Sequence, residues 1–557
     1  MATIRNAARR EKAPKQFNEL ATQDTSSMQP SVAPAPGLFA RFRQQFARFS
    51  DKSALVLPDG SSVRYSELDS QSAQIANALT ELGVEPGDRI TAQIEKSVDG
   101  LCLYLACLRA GFVFHPMNTG YLRNELEFFL QDAEPRVVVC DEPSHELFAT
   151  LCGESITLLT LGGDDGGNSG DNSEGDSGAS LTGLCAHHSS EHEPFPARED
   201  SPAALLYSSG TTGVPKGILL TNRNLLSNAS TLVEAWGFTS DDVLLHALPI
   251  YHVHGLFVAI HCALLSGSTM YWLARFDLDA VLASLPRCTV MMGVPTYYTR
   301  LLSDGRFSRD HCQNLRLFIS GSAPLLAETF QAFEQRSGHR ILERYGMSET
   351  GMLTSNPLAG NRVPGTVGHA LPGVDVRVVS DAGMACEYPE VGNVQVAGPN
   401  VFSGYWKRPD KTAEDMTRDG FFNTGDLGQL DRDGRLTIVG RAKDLVITGG
   451  LNVYPKEVEL IIDELPGVLE SAVIGVPHDD FGEAVVAVVV AEVSGDESGV
   501  ERVELSEREM LGLLSDQLAA FKRPKRIVFA DCLPRNAMGK VQKNLLREAH
   551  ADLFRGA

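Results

Sequence analysis

The stretch Tyr207-Ser208-Ser209-Gly210-Thr211-Thr212-Gly213-Val214-Pro215-Lys216-Gly217 decides how the rest of the chain is read, because it packs hydroxyls, glycines and one lysine into a single loop. Glycines let backbone N–H groups turn inward, hydroxyls add donors, and Lys216 supplies a point charge, which together suit a polyphosphate. The apolar run at 203–206 predicts a strand leading in, and Thr221 with Asn222 predicts the cap of a helix reaching residue 232. The expected unit is therefore strand, glycine loop and helix. It is not a Walker A loop: the spacing from glycine to Lys216 is wrong, and Gly217 stands where that motif has Ser or Thr.

Working outward, a chain of 557 residues is too long for one hydrophobic core and should divide into at least two domains. Helical periodicity at 67–82, 98–109 and 125–130 alternates with short strands at 89–94 and 137–140, a pattern that predicts an α/β fold with parallel sheet and crossover helices. Residues 162–180 form a Gly/Asp/Ser/Asn run that predicts an acidic low-complexity insertion. After Arg441 the pattern changes: strands at 444–448, 472–476 and 484–493 with a helix at 455–465 predict a small α+β domain. The expected division is a disordered tail at 1–35, a large multi-sheet N-terminal domain at 36–442 and a mobile C-terminal lid at 443–557.

The 71 acidic against 49 basic residues, a formal charge of -22, oppose general binding to nucleic acid or anionic membranes. Ten cysteines lie scattered without Cys-x-x-Cys or zinc spacing, so free thiols in a reduced compartment are expected. The longest apolar runs, at 256–265 and 484–491, fall short of the roughly eighteen residues of a membrane span, and none is expected. Residues 1–35 carry Arg5, Arg9, Arg10, Lys12 and Lys15 but no apolar signal core, and Glu11, Glu19 and Asp24 interrupt them. The cytoplasm is the expected compartment, with the mitochondrial matrix as the alternative.

Further clusters complete the chemistry. Tyr345-Gly346-Met347-Ser348-Glu349-Thr350 places an aromatic face, a hydroxyl and a carboxylate together, suited to an adenine ring, a phosphate and Mg2+. Thr424-Gly425-Asp426 sets a carboxylate after a glycine turn, which suits vicinal ribose hydroxyls. Gly440-Arg441-Ala442-Lys443-Asp444 falls at the change of pattern, and Pro534-Arg535-Asn536-Ala537-Met538-Gly539-Lys540 puts a lysine on a terminal glycine loop.

In this order the clusters resemble the adenylate-forming superfamily of acyl-CoA synthetases, luciferases and adenylation domains, over residues 38–546. The resemblance implies two half-reactions at one site. A carboxylate and MgATP give acyl-AMP and diphosphate, and the thiol of CoA then displaces AMP. It further implies that Ser208, Ser209, Gly210, Thr211, Thr212, Gly213 and Lys216 hold the β- and γ-phosphates. Gly321, Ser322, Ala323 and Pro324 would flank the base, with Tyr345 and Gly346 against adenine. Ser348 would meet the α-phosphate, Glu349 the magnesium, Asp426 the ribose, and Arg441 a ribose or phosphate oxygen. Lys540 would bridge carboxylate and α-phosphate, Lys443 would be the hinge, and Gly449 and Gly450 would leave room for the pantetheine arm. Lys540 is also a position open to acetylation.

Three stretches narrow the resemblance to the malonyl-CoA synthetase group: Ile250-Tyr251-His252-Val253-His254-Gly255-Leu256, Met291-Met292-Gly293-Val294-Pro295-Thr296-Tyr297-Tyr298-Thr299-Arg300, and Glu343-Arg344-Tyr345-Gly346-Met347-Ser348-Glu349. The implied reaction is malonate, ATP and CoA to malonyl-CoA, AMP and diphosphate through a malonyl-adenylate. Malonate keeps one carboxylate that adenylation does not consume, and Arg300 is the candidate for a bidentate contact to it. His252 and His254 would add donors or shape the pocket, His252 with a catalytic part, while Val253 and Met347 would line the wall. A ligase for methylmalonate or another short or branched acid is the alternative, and a non-catalytic nucleotide-binding scaffold the remote one. The expected partners are small molecules, and the expected state is a monomer or small homo-oligomer.

Overall fold

The computed structural model describes residues 37–162, 179–208, 215–449, 451–478, 481–492, 506–515, 517–536 and 540–554. The expected tail at 1–35, the body of the acidic insertion, and the loop residues Ser209, Gly210, Thr211, Thr212 and Gly213 lie outside them, as does Gly450.

Among the described residues, strands form four sheets. Five strands, Pro202–Ser208, Val113–Pro116, Arg89–Gln93, Val137–Cys140 and Thr157–Thr160, run parallel in that order, as the alternating pattern predicts. The second and largest sheet runs from His369–Ala370 through Gly351–Ser355, Leu342–Met347, Leu317–Ser320 and Val290–Gly293 to Val243–His246, Thr269–Trp272, Ser53–Val56 and Ser62–Arg64. A four-stranded antiparallel sheet joins Asp375–Val379, Gly392–Ala397, Phe422–Leu430 and Leu436–Arg441. From Val446 on, a smaller five-stranded sheet carries its own core of Val446, Val458, Ile462, Val473, Val485 and Met510.

The helix Val98–Ala110 shows why the large domain holds together. Ser97 caps it by accepting from the Gly100 N–H, and Gly111, at φ +77°, ends it in the left-handed region. Eleven of its thirteen residues are buried, the ion-paired Arg109 among them, so it is a core helix rather than an amphipathic cover. Truncating Leu101 or Leu105 there would cost about 2–5 kcal/mol.

The opening loop departs from expectation. A second strand, Lys216–Thr221, folds back antiparallel on Pro202–Ser208 before the helix Asn222–Ala235 begins, so the unit is a hairpin followed by a helix. The apolar run Ile218-Leu219-Leu220 pairs between Pro202–Ser208 and Gly404–Tyr405 in the sheet, and this overrides a direct entry into the helix. Thr221 does cap that helix, with Asn224 completing the reciprocal pair of cap hydrogen bonds.

A π-helical turn at His254–Ile260 leads into the helix His261–Ser266. Such turns re-aim side chains and recur at functional sites. Gly255 is required there, because a Cβ would lie 2.0 Å from the Pro249 carbonyl oxygen. All ten cysteines are free thiols. Among the described residues, no helix is long and apolar enough to cross a membrane.

Candidate active site

The strand Leu342–Met347 and the antiparallel pair Phe422–Leu430 and Leu436–Arg441 bring three separate sequence clusters together. The Tyr345 hydroxyl donates to Asp426 Oδ2, and Arg441 Nε forms an ion pair with Asp426 Oδ1 at 2.8 Å. Asp426 and Arg441 are register partners across the sheet, which is why a contact between residues fifteen apart is rigid. Arg441 Nη1 also donates to the Thr424 carbonyl at 3.0 Å, and Thr424 Oγ1 accepts from the Asp426 N–H at 3.1 Å. Asp426 is 4% exposed, so this charge pair is worth more than a surface one. Gly346 is obligatory, since a Cβ would lie 2.1 Å from the Gly351 carbonyl oxygen.

Glu349 is buried behind this cluster, and its Oε1 accepts from Ser208 Oγ at 3.4 Å. Burial raises its pKa, and the nearby charges of Arg441 and Lys216 oppose that rise. Lys216, at the start of its strand, lies 3.6 Å from Asp415 and 4.6 Å from the centroid of the Tyr405 ring. Ser208, Lys216 and Glu349 thus share one corner, with Ser348 half-buried beside them.

Lys540 approaches the same corner from the C-terminal part. Its side chain keeps solvent access, yet protein atoms crowd its amine. Loss of bulk water and then the Arg441 cation lower its pKa to about 8, against the pull of Asp426. The turn carrying it is closed by two bonds with Asn536: Lys540 N–H to Asn536 Oδ1 at 3.0 Å, and Asn536 N–H to the Lys540 carbonyl at 2.9 Å. Lys443 is exposed in the 3-10 turn Ala442–Asp444, and Arg547 of the last helix donates to Asp444 at 2.7 Å. Gly449, at φ +57°, bonds to the Phe481 carbonyl of its own domain at 2.8 Å.

Beside the His252–His254 turn, Gly321 is buried, Ser322 takes φ +71°, and Ala323 and Pro324 continue outward. Ser322 Oγ meets His254 Nδ1 at 3.4 Å, and His252 Nδ1 accepts from the His254 N–H at 3.3 Å. Burial and the Arg344 cation hold both imidazoles neutral, with His252 lowered to about 4. Val253 is buried among Leu220, Asn224, Asn228 and Phe257, and Met347 is half-buried against the main core.

Arg300 stands apart. It is exposed near the end of the helix Pro295–Ser303, its guanidinium 5.8 Å from the Phe276 ring centroid. Arg344 lies in one of the stretches that carry the resemblance but has no role assigned from sequence; its guanidinium is buried beside Gly321.

The family described as AMP-binding enzyme matches residues 42–406, and the AMP-binding enzyme C-terminal domain matches 457–540. The mitochondrial malonate–CoA ligase of Homo sapiens is 33% identical over 547 residues, 90% of this chain and 91% of that one. A feruloyl-CoA synthase of Amycolatopsis is also 33% identical, over 509 residues, 90% of this chain and 96% of that one. The crystal structure of ATP-bound MatB from Rhodopseudomonas palustris superposes with a TM-score of 0.86 at 48% identity, covering 93% of this chain and all of that one.

Proposed function

The chain belongs to the AMP-binding enzymes and is an AMP-forming acid–CoA ligase, and from that premise we propose that its acid is malonate. The carrying observation is the meeting of Ser208, Glu349, the Tyr345–Asp426–Arg441 cluster and Lys540 at one corner, with a buried cationic acyl side next to it. Relatives named for malonate and for ferulate are equally identical overall, so the acid is chosen by the pocket and not by the scaffold.

In this reading Tyr345 backs the adenine, Asp426 accepts from the ribose hydroxyls, and Arg441 holds Asp426 in place while facing a ribose or phosphate oxygen. The residues at the corner fit a magnesium ion, because Glu349 is a buried carboxylate with one long side-chain partner and Ser208 adds a second hard oxygen donor. That ion would be held by Glu349 and would neutralise phosphate charge. Lys216 and the hydroxyls of the loop at 208–213 would grip the departing diphosphate.

The malonate oxygen attacks the α-phosphorus, the bond to diphosphate breaks, and malonyl-AMP forms. Lys540 bridges the two anions as they meet, while Ser348 donates to the α-phosphate. The thiol of CoA then attacks the acyl carbon and AMP leaves, after the C-terminal part has turned about Lys443 to bring Gly449 and Gly450 to the pantetheine arm. His252 and His254, both neutral, donate or shape the wall beside the reacting carboxyl, with Val253 behind and Met347 in front. Arg300, exposed beside Phe276, steers the dianion toward the entrance.

The test is a panel of acids in a diphosphate-release assay with CoA. Malonate is expected to give the highest kcat/KM. Acetate and long-chain acids should fall by about 10²-fold or more, since a site built to pair a remote carboxylate is left unsatisfied without one. Methylmalonate should lose only about 10- to 200-fold, because one methyl is worth about 1–3 kcal/mol in a pocket. A higher kcat/KM with a monocarboxylic acid would overturn the reading.

A further inference from the structure

The last described helix, Lys543–Ala549, begins three residues after Lys540. Its Leu546 is 6% exposed and packs with Ile474, Val476, Val486 and Val488, which seats the helix on one face of the small sheet. Lys543 and Arg547 stand four positions apart, about one turn, and so share a side of the helix.

Each of the two cations ends on a carboxylate from a different element. Lys543 Nζ lies 2.5 Å from Glu459 Oε1, and the same oxygen accepts from the Val473 N–H at 2.9 Å. Glu459 belongs to the helix Pro455–Asp463 and is 6% exposed, so water competes little for this pair. Arg547 Nη2 meets Asp444 Oδ1 at 2.7 Å, and Asp444 is the residue after Lys443 in the turn Ala442–Asp444. The segment carrying Lys540 is closed at its base by the Gln542 N–H on the Pro534 carbonyl at 2.8 Å, by an antiparallel bridge between Arg535 and Val541, and by the ion pair of Arg535 with Glu470.

These contacts form a strut. One short helix, about 10 Å long, is pinned at its start beside Lys540 and near its end to the turn where the pattern of the chain changes. A lysine side chain has many rotamers, so the place of its amine is defined only as well as the backbone beneath it. The Asp444 end gives that backbone a fixed distance from Lys443. Without it, the body that turns about Lys443 would be held to its pivot by the chain alone.

We propose that Arg547 is a positioning residue for adenylation: through Asp444 it couples the turn at Lys443 to the placement of Lys540, while the Lys543–Glu459 pair fixes the near end of the same helix. The inference rests on the reading that Lys540 bridges the two anions in the first half-reaction. The second half-reaction does not use the Lys540 amine, so it does not need this coupling.

The experiment compares wild type, Lys540→Ala, Arg547→Met and Arg547→Lys in two assays. Rapid quench with ATP and malonate reads malonyl-AMP formation, and synthetic malonyl-AMP with CoA reads the second step. Arg547→Met should slow the first step by about 10-fold or more, because a misplacement of about 1 Å caused far from the chemistry can cost about 10²-fold, and should leave the second within about threefold. Arg547→Lys keeps a cation for Asp444 and should stay within about threefold of wild type in both steps. An Arg547→Met enzyme that adenylates at the wild-type rate, or that slows both steps equally as a merely structural loss would, overturns the inference while the Lys540 reading stands. An Arg547→Lys enzyme as slow as Arg547→Met overturns it too, since the ion pair would then not be the cause. Unimpaired adenylation by Lys540→Ala overturns both. If Arg547→Met does not fold, Arg547→Gln decides by the same split: loss confined to the first step supports the inference, and no loss or equal loss overturns it.

Discussion

Lys540→Ala is expected to abolish adenylate formation almost completely, by about 10²-fold or more in the first half-reaction, while the reaction of malonyl-AMP with CoA is largely spared. In the proposed reaction two anions meet at the α-phosphorus, and the Lys540 amine, which feels the charges of Arg441 and Asp426, is the cation that would bridge them. Loss of one preorganised donor from a water-poor site costs about 3–4 kcal/mol, far more than loss of a surface charge. Rapid quench with ATP and malonate reads the first step, and synthetic malonyl-AMP with CoA reads the second. Equal loss in both would remove Lys540 from the role proposed for it. The pH dependence has a definite sign. Folding lowers this pKa to about 8, so the free enzyme carries the required charge below that value and loses it above. The profile of kcat/KM for ATP should therefore fall above about pH 8, earlier than an ordinary lysine would allow.

Glu349→Gln is expected to separate activity from stability. Glu349 is 6% exposed, with Ser208 as a side-chain partner at 3.4 Å, so the folded protein bears a desolvated carboxylate that is poorly compensated. Folding raises its pKa, so the folded state holds the proton to higher pH than the unfolded chain. Stability therefore declines as pH rises past the ordinary carboxylate range, and a glutamine, which cannot ionise, escapes that decline. At neutral pH the variant should melt no lower than the wild type, while its rate of adenylation falls by about 10²-fold or more, because the magnesium ion of the proposed mechanism would lose its anchor. A variant that loses stability together with activity would make Glu349 a structural group.

These expectations draw on parts of the molecule that were unequally legible from sequence. The cluster Tyr345 to Thr350 was readable because its groups are contiguous, and the alternation through residues 89–140 announced the parallel sheet. Asp426 and Arg441 were readable separately, but their ion pair depends on an antiparallel register that no local pattern specifies. The strand Lys216–Thr221 went unseen because glycines and the cap of the next helix dominated the reading, whereas its sheet partner decides its conformation. Arg300 and Arg344 are the sharpest contrast. A charge on a helix and a charge on a strand look alike in sequence, and only the packing of Gly321, Tyr298 and the His252–His254 turn buries one while the other meets solvent. The π-helical turn likewise leaves no local signature beyond Gly255, whose need arises from the Pro249 carbonyl above it.

The most direct test follows the oxygen of the acid. With malonate labelled with oxygen-18 in its carboxylates, ATP, magnesium and CoA, the expected products are malonyl-CoA and AMP carrying one labelled oxygen, with unlabelled diphosphate. Label in inorganic phosphate, ADP as the nucleotide product, or unlabelled AMP would contradict it.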